Sequence, residues 1–176
     1  MPAIRAARVG EATKLTALCV RSKAHWGYDA EFMRLSAASL RVSSSDIALG
    51  RVLVAVDGKD RALGVASVIP DGESADLELF FIDPAFMGRG VGRALFKAAV
   101  ERAHMFDAKT LTILADPNAA SFYERMGARF LRNAPSTVRS ASWWEVPPPI
   151  SNGYGLSSAP WARPSRSAAR PAPAIR

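Results

Sequence analysis

Three glycines at alternate positions, Gly88, Gly90 and Gly92, stand in the run Met87-Gly88-Arg89-Gly90-Val91-Gly92-Arg93, directly ahead of a segment with helical periodicity. Residues without a Cβ let the backbone come close to a ligand, and a helix start offers unpaired N–H groups together with the positive end of its macrodipole. The chemistry this suits is the cradling of an anion, to which Arg89 and Arg93 add cationic side chains shaped for phosphate oxygens. Two nucleotide loops compete for the same description. The phosphate loop GxxxxGK[ST] is absent, because no Gly-Lys-Ser or Gly-Lys-Thr occurs. The dinucleotide fingerprint GxGxxG also fits poorly: the third glycine comes one residue early, and the unit follows an antiparallel hairpin rather than parallel strands. A glycine-rich turn that binds nothing is the plain alternative for so short a pattern.

Past the next β-branched strand comes Asp116-Pro117-Asn118-Ala119-Ala120-Ser121-Phe122-Tyr123-Glu124-Arg125-Met126-Gly127-Ala128. Taken with Gly88-Arg89-Gly90-Val91-Gly92, it resembles the GNAT superfamily of acetyl-CoA-dependent N-acetyltransferases. There a [QR]xxGx[GA] loop opens the central helix, and an NxxAxxFYExxG segment follows the next strand. The resemblance covers residues 3–146. Two positions depart from the pattern: Met87 stands where the family usually has Gln or Arg, and Asp116 where Asn is common. The first removes a side-chain donor and leaves the loop to work through backbone N–H groups.

The resemblance implies acetyl-CoA as cosubstrate, no metal, and direct transfer of the acetyl group to a primary amine of a small molecule or peptide. By it, Met87, Gly88, Arg89, Gly90, Val91, Gly92 and Arg93 form the pyrophosphate site. The pantetheine arm lies between two splayed strands, 76–82 and 110–115, bonded to backbone near Phe80 and Ile82. Asn118 stands near that arm, and Tyr123 reaches the sulfur. A catalytically silent protein that binds acyl-CoA as a sensor or regulator is the rival reading.

Aminolysis of a thioester needs a neutral amine, and deprotonating a lysine-like amine at pH 7 costs about 4.6 kcal/mol unless the site supplies a base. Strict strand alternation puts Leu77, Leu79 and Phe81 on one face and Asp76, Glu78, Phe80 and Ile82 on the other. Glu78 is therefore the first candidate for general base, directly or through a water, and Asp76 the second; a solvated strand end is the ordinary role for such a pair. A phenol giving its proton to a thiolate is uphill by roughly 2 kcal/mol in unperturbed terms, so a hydrogen bond from Tyr123 to the forming thiolate suffices. Adjacent helical residues cannot face one way, which assigns Phe122 to the core and Tyr123 to the cleft.

In the family, the joint between two early helices forms part of the acceptor pocket. Here it reads Ser22-Lys23-Ala24-His25-Trp26-Gly27-Tyr28-Asp29, which makes His25, Trp26 and Tyr28 the candidate acceptor residues. Trp26 and Tyr28 fit packing at a helix junction equally well. His104 reads as a surface or packing residue. Cys19 lies in an apolar helical pattern and reads as core rather than nucleophile.

The elements that must position these residues follow from periodicity. Ala3 to Arg8 predicts a strand, Glu11 to Trp26 a helix, and Asp29 to Leu40 a second helix capped by Asp29. Val52–Val56, Ala62–Val68 and Asp76–Ile82 predict three antiparallel strands, with turns at Asp57-Gly58-Lys59-Asp60 and Pro70-Asp71-Gly72. Val91, Leu95, Ala98, Ala99, Met105 and Phe106 form a helical stripe, interrupted by Arg102. Thr110–Ala115 completes a right-handed βαβ crossover. A short helix from Asn118 to Met126 and strands at 128–131 and 142–146 close the domain. The expected class is α/β: a mixed, mostly antiparallel sheet of six to seven strands, with a central splayed parallel pair and about four helices.

Composition agrees with one domain. The 176 residues, 49% of them hydrophobic, exclude global disorder, and the single cysteine excludes a disulfide scaffold or a thiolate metal site. Neither a signal peptide nor a membrane span is expected, and a reducing, cytoplasmic setting is. Of the net charge of +7, four come from Arg163, Arg166, Arg170 and Arg176 in 151–176, a stretch with no acid. Seven of the twelve prolines lie in the last thirty residues. The expected division is a domain over 1–146 and a flexible Pro/Ser/Arg-rich tail over 147–176. Nucleic acid is not favoured as a partner of that tail, because it has no aromatic–basic repeat. The resemblance allows a homodimer paired through the late strands.

Overall fold

A computed structural model describes residues 2–134 and 141–147. The elements run β1 (Ala3–Ala6), α1 (Ala12–Ala24), α2 (Ala30–Ser36), α3 (Ser44–Ala48), β2 (Val52–Val56), β3 (Ala62–Asp71), β4 (Ser74–Ile82), α4 (Val91–Met105), β5 (Thr110–Ala115), α5 (Ala120–Arg125), β6 (Arg129–Ala134) and β7 (Ala141–Val146). One sheet orders the seven strands β1-β2-β3-β4-β5-β7-β6, and its one parallel pair is β4–β5. This is the expected mixed, mostly antiparallel architecture with a central crossover. The expected tail boundary falls, apart from Pro147, outside the described residues.

Each sheet face carries its own core. On one, Leu53, Ala55, Ala75, Leu77, Leu111 and Ile113 meet Leu95, Phe96 and Ala99 of α4. On the other, Val52, Val54, Val65 and Leu79 meet Leu15, Leu18 and Cys19 of α1 and Ile47 of α3. Burying a Leu or Phe side chain stabilises by roughly 1.5–3 kcal/mol, so α4 and α1 are held chiefly by these apolar contacts. Burial also pushes the Cys19 thiol up to about 12, which leaves it an inert core residue.

Helix starts follow local chemistry. The Asp29 carboxylate accepts from the Phe32 N–H at 2.8 Å, as expected of a cap. The helix it opens ends at Ser36 rather than Leu40. α3 was not expected; the Ser43 hydroxyl caps it by accepting from the Asp46 N–H. The stripe on α4 also differs: Phe96 and Ala103 belong to it and Met105 is exposed, while the Arg102 guanidinium donates to the Gly50 carbonyl. Pro70 and Asp71 lie within β3 and pair with Ala75 and Ser74, so the turn is only Gly72-Glu73, with Gly72 at φ 59°.

The largest departure from simple alternation lies in β4. Ser67 pairs with Leu79 and the next residue, Val68, with Leu77, which leaves Glu78 as the extra residue of a bulge. Ala75 and Leu77 therefore face the α4 core, Leu79 and Phe81 the α1 core, and Phe80 and Ile82 the α4 core again. The expected grouping of Leu77 with Leu79 and Phe81 is corrected. A one-residue bulge inverts the phase of every side chain beyond it.

Candidate functional site

β4 and β5 pair from Ser74↔Thr110 to Leu77↔Ile113 and no further, although β4 continues to Ile82 and β5 to Ala115. Beyond Ile113, β5 is paired only with β7. The two strands thus part at the bulge, and a cleft of about 720 Å³ opens where they do, lined by Glu78, Phe80, Ile82, Leu114, Asp116 and Tyr123 among others.

The glycine loop forms one end of it. The Asp83 carboxylate accepts from the Ala85 N–H and starts a 3-10 turn over Pro84–Phe86. Gly88 and Gly90 follow at φ 73° and 81°, a left-handed backbone that side chains resist. Gly90 is the N-cap of the fifteen-residue α4, and a Cβ at Gly88 or Gly90 would meet nothing within 4 Å. The N–H groups of Val91, Gly92 and Arg93 form the first helical turn and have no acceptor within the helix. Met87, Gly88, Gly90, Gly92 and Arg93 line the cleft; Arg89 instead sets its guanidinium 5.6 Å from the Phe86 ring, and the Val91 side chain is buried. Gly92 has a second duty, because a Cβ there would lie 3.3 Å from the Phe122 ring. An open, donor-rich helix mouth of this kind fits a diphosphate.

At the centre, Glu78 is exposed to the cleft. Partial desolvation, then the carboxylates of Asp46 and Asp76, push its pKa above the ordinary range, with Arg51 opposing. Asp76 is not among the lining residues; its carboxylate accepts from the Thr112 hydroxyl across the parallel pair. Tyr123 is 5% exposed, whereas Phe122 is only partly buried, and both line the cleft, so the expected split between core and cleft is corrected. Phe122 stacks on Phe80 with ring centroids 5.5 Å apart, and Tyr123 and Phe96 complete the cluster. The Tyr123 phenol is pushed above its usual range by burial first and by Asp116 second.

The far end contains a network that the sequence did not reveal. Lys23 Nζ donates to Asp116 Oδ2 at 2.5 Å, and the Tyr28 hydroxyl donates to the same oxygen at 2.5 Å. Asn118 Nδ2 donates to the Tyr28 oxygen at 3.1 Å and to Asp116 Oδ1 at 3.0 Å, and its N–H also meets Oδ1. Desolvation alone would raise the Asp116 pKa, but these donors outweigh it and hold the carboxyl below its ordinary range. Trp26, Lys23 and Phe32 line this end; Tyr28 joins through Asp116, and His25 is an exposed neighbour of Trp26. Lys23 and Asp116 are too far apart in the chain for any local pattern to pair them.

Comparison with known proteins agrees with this geometry. Residues 30–140 match the family described as acetyltransferase (GNAT) domain. The chain belongs to the GNAT acetyltransferases. An uncharacterized N-acetyltransferase, ycf52, of Pyropia yezoensis is 27% identical over 89 residues, which is 50% of this chain and 49% of that protein. The match thus spans about half the length of this relative. YdhI of Bacillus subtilis, an uncharacterized protein, is 28% identical over 134 residues, 73% of this chain and 78% of that one. Among solved structures, the PaiA N-acetyltransferase of Thermoplasma acidophilum, in complex with coenzyme A, shares the fold with a TM-score of 0.71 at 15% identity, over 84% of this chain and 99% of that chain. N-acetylglutamate synthase of Neisseria gonorrhoeae, complexed with coenzyme A and N-acetyl-glutamate, shares it with a TM-score of 0.61 at 15% identity, over 82% of this chain and 34% of that one. Among the described residues, no helix is long and apolar enough to cross a membrane.

Proposed function

We propose that this protein transfers the acetyl group of acetyl-CoA directly to a primary amine of a small molecule or peptide, in the cytoplasm. The observation that carries this reading is the parting of β4 and β5 after Leu77↔Ile113, which opens the sheet between the glycine-bearing mouth of α4 and the bulged Glu78. In this reading the N–H groups from Gly88 to Arg93 hold the pyrophosphate, and Arg93 adds charge at its edge. The pantetheine arm runs into the gap beside the free backbone of Phe80 and Ile82, with Asn118 at its flank. The aromatic cluster around Phe80 keeps water from the thioester.

Glu78 takes the proton from the incoming ammonium, directly or through a water. A carboxyl with a raised pKa is the better base for an amine at neutral pH, since catalysis favours a pKa nearer the working pH. Asp76 stands behind it as the second candidate. The Tyr123 hydroxyl stabilises the departing thiolate by a hydrogen bond. Trp26 and Tyr28 shape the acceptor end, with His25 at its rim.

A screen of primary amines with acetyl-CoA, read by free-thiol release, tests the reaction. Amine-dependent release supports transfer. Calorimetric binding of coenzyme A without release from any amine favours a silent acyl-CoA sensor, and absence of binding overturns both.

A further inference from the structure

Lys23 is set apart from the other lysines of this chain. Lys14, Lys59, Lys97 and Lys109 are exposed, whereas the Lys23 side chain keeps 16% of its surface and lines the cleft with Glu78, Phe80 and Tyr123. Its Nζ meets Asp116 Oδ2 at 2.5 Å and lies 4.8 Å from the Tyr28 ring centroid and 5.3 Å from that of Phe32. A carboxylate beside aromatic faces is a good seat for an alkylammonium. The group seated here is itself a primary amine on a flexible apolar stem, and it stands in the chamber where an acetyl donor and an amine are to meet.

We propose that Lys23 is a self-acetylation site, modified by acetyl-CoA bound in its own cleft. The proposal rests on the reading above, in which the thioester is delivered between β4 and β5. The Lys23 ammonium gives one proton to Glu78, directly or through a water, and the neutral Nζ attacks the thioester carbonyl. The N–C bond forms, and the C–S bond breaks with its electron pair passing to sulfur. The nitrogen then loses a second proton, which the thiolate takes up as free coenzyme A thiol, while Glu78 returns its proton to solvent. The acetylated side chain carries no charge, so it no longer bridges α1 to the end of β5. Asp116 keeps Tyr28 and Asn118 as donors, and the acceptor end of the cleft is reset.

Reaction with acetyl-CoA free in solution would rank the lysines the other way. An ion-paired, largely covered ammonium is a poor target for a bulky reagent, whereas Lys14, Lys59 and Lys97 are open to it. The test incubates the full chain with acetyl-CoA and no added amine, and follows each lysine by site-resolved mass spectrometry. Lys23 is expected to be modified first, at least about tenfold ahead of the exposed lysines, because a positioned nucleophile outruns a diffusing one. Its rate is expected to be independent of protein concentration, suppressed by excess coenzyme A, and slowed in Glu78→Gln while the exposed lysines are unaffected. Acetyl on the exposed lysines with Lys23 bare, or Lys23 no faster than Lys14, overturns the proposal. If coenzyme A binds and an added amine is acetylated while Lys23 stays bare, only self-acetylation fails; if coenzyme A gives no heat of binding, the functional reading fails with it.

Discussion

Lys23 and Asp116, 93 positions apart, meet at 2.5 Å across the open end of the sheet. Two residues earlier on α1, Arg21 meets Asp83 at 2.9 Å, and Asp83 directly follows β4 as Asp116 directly follows β5. The last turn of α1 is thus tied to the ends of both parted strands. The two ties differ in strength, because the Lys23 pair is 16% and 19% exposed while the Arg21 side chain is 55% exposed and screened by solvent.

Asp116→Asn is expected to lower stability at neutral pH by about 1–3 kcal/mol, since it leaves a covered ammonium without its counter-charge. The folded-state pKa of Asp116 is depressed, so its contribution is complete above the unfolded value of about 4 and is lost as pH falls through the folded one. Melting curves should show a constant gap between the two proteins from neutral pH to about 5 that closes below about 4. A gap that widens in acid refutes the ion pair as the source.

Glu78→Gln separates function from stability. Loss of a general base lowers turnover by about 10²–10⁴-fold. The Glu78 pKa is raised by desolvation, so ionising the carboxyl works against folding once pH passes the ordinary carboxylate range. At pH 7 the variant should therefore melt no lower than the parent. The acid limb of the parent's rate profile should also lie above the ordinary carboxylate pKa.

The three glycines are expected to respond differently to alanine. Gly88→Ala and Gly90→Ala place a side chain in the left-handed region, at a cost of about 1–2 kcal/mol each, but meet no neighbour. Their main effect should be weaker coenzyme A binding by calorimetry. Gly92→Ala presses on Phe122 at 3.3 Å and should shift melting with binding less affected. Equal effects of all three on binding would contradict this division.

Tyr123→Phe should lower turnover more than it lowers affinity for coenzyme A, because the hydroxyl acts late in the reaction. The hydroxyl bonds to no described residue, so melting should change little. Unchanged turnover would remove Tyr123 from the mechanism.

The sheet, the central crossover and the glycine loop were legible because each rests on a local signal: alternating apolar residues, a β-branched run, or glycines at a helix start. What escaped depends on pairing between distant strands. The bulge at Glu78 needs Ser67 and Val68 to define it, and nothing within Asp76–Ile82 announces it. Phe122 and Tyr123 were divided by helical geometry alone, yet α5 is a short helix wedged between Phe80 and Phe96, where both rings find apolar contact. Lys23 was visible in the helix joint, but its partner Asp116 was legible only as an irregular member of a motif.

The extra residue in β4 lets one strand serve two masters, its first half belonging to the crossover side and its second half dealing residues to both. Deleting position 78, rather than replacing its side chain, would restore a regular ladder with β3. Phe80 and Ile82 would keep facing α4 and Phe81 would keep facing α1, because Val68↔Leu77 and Ser67↔Leu79 already step as neighbouring pairs with Glu78 left out. The aromatic wall would stand, and the carboxylate beside it alone would be gone.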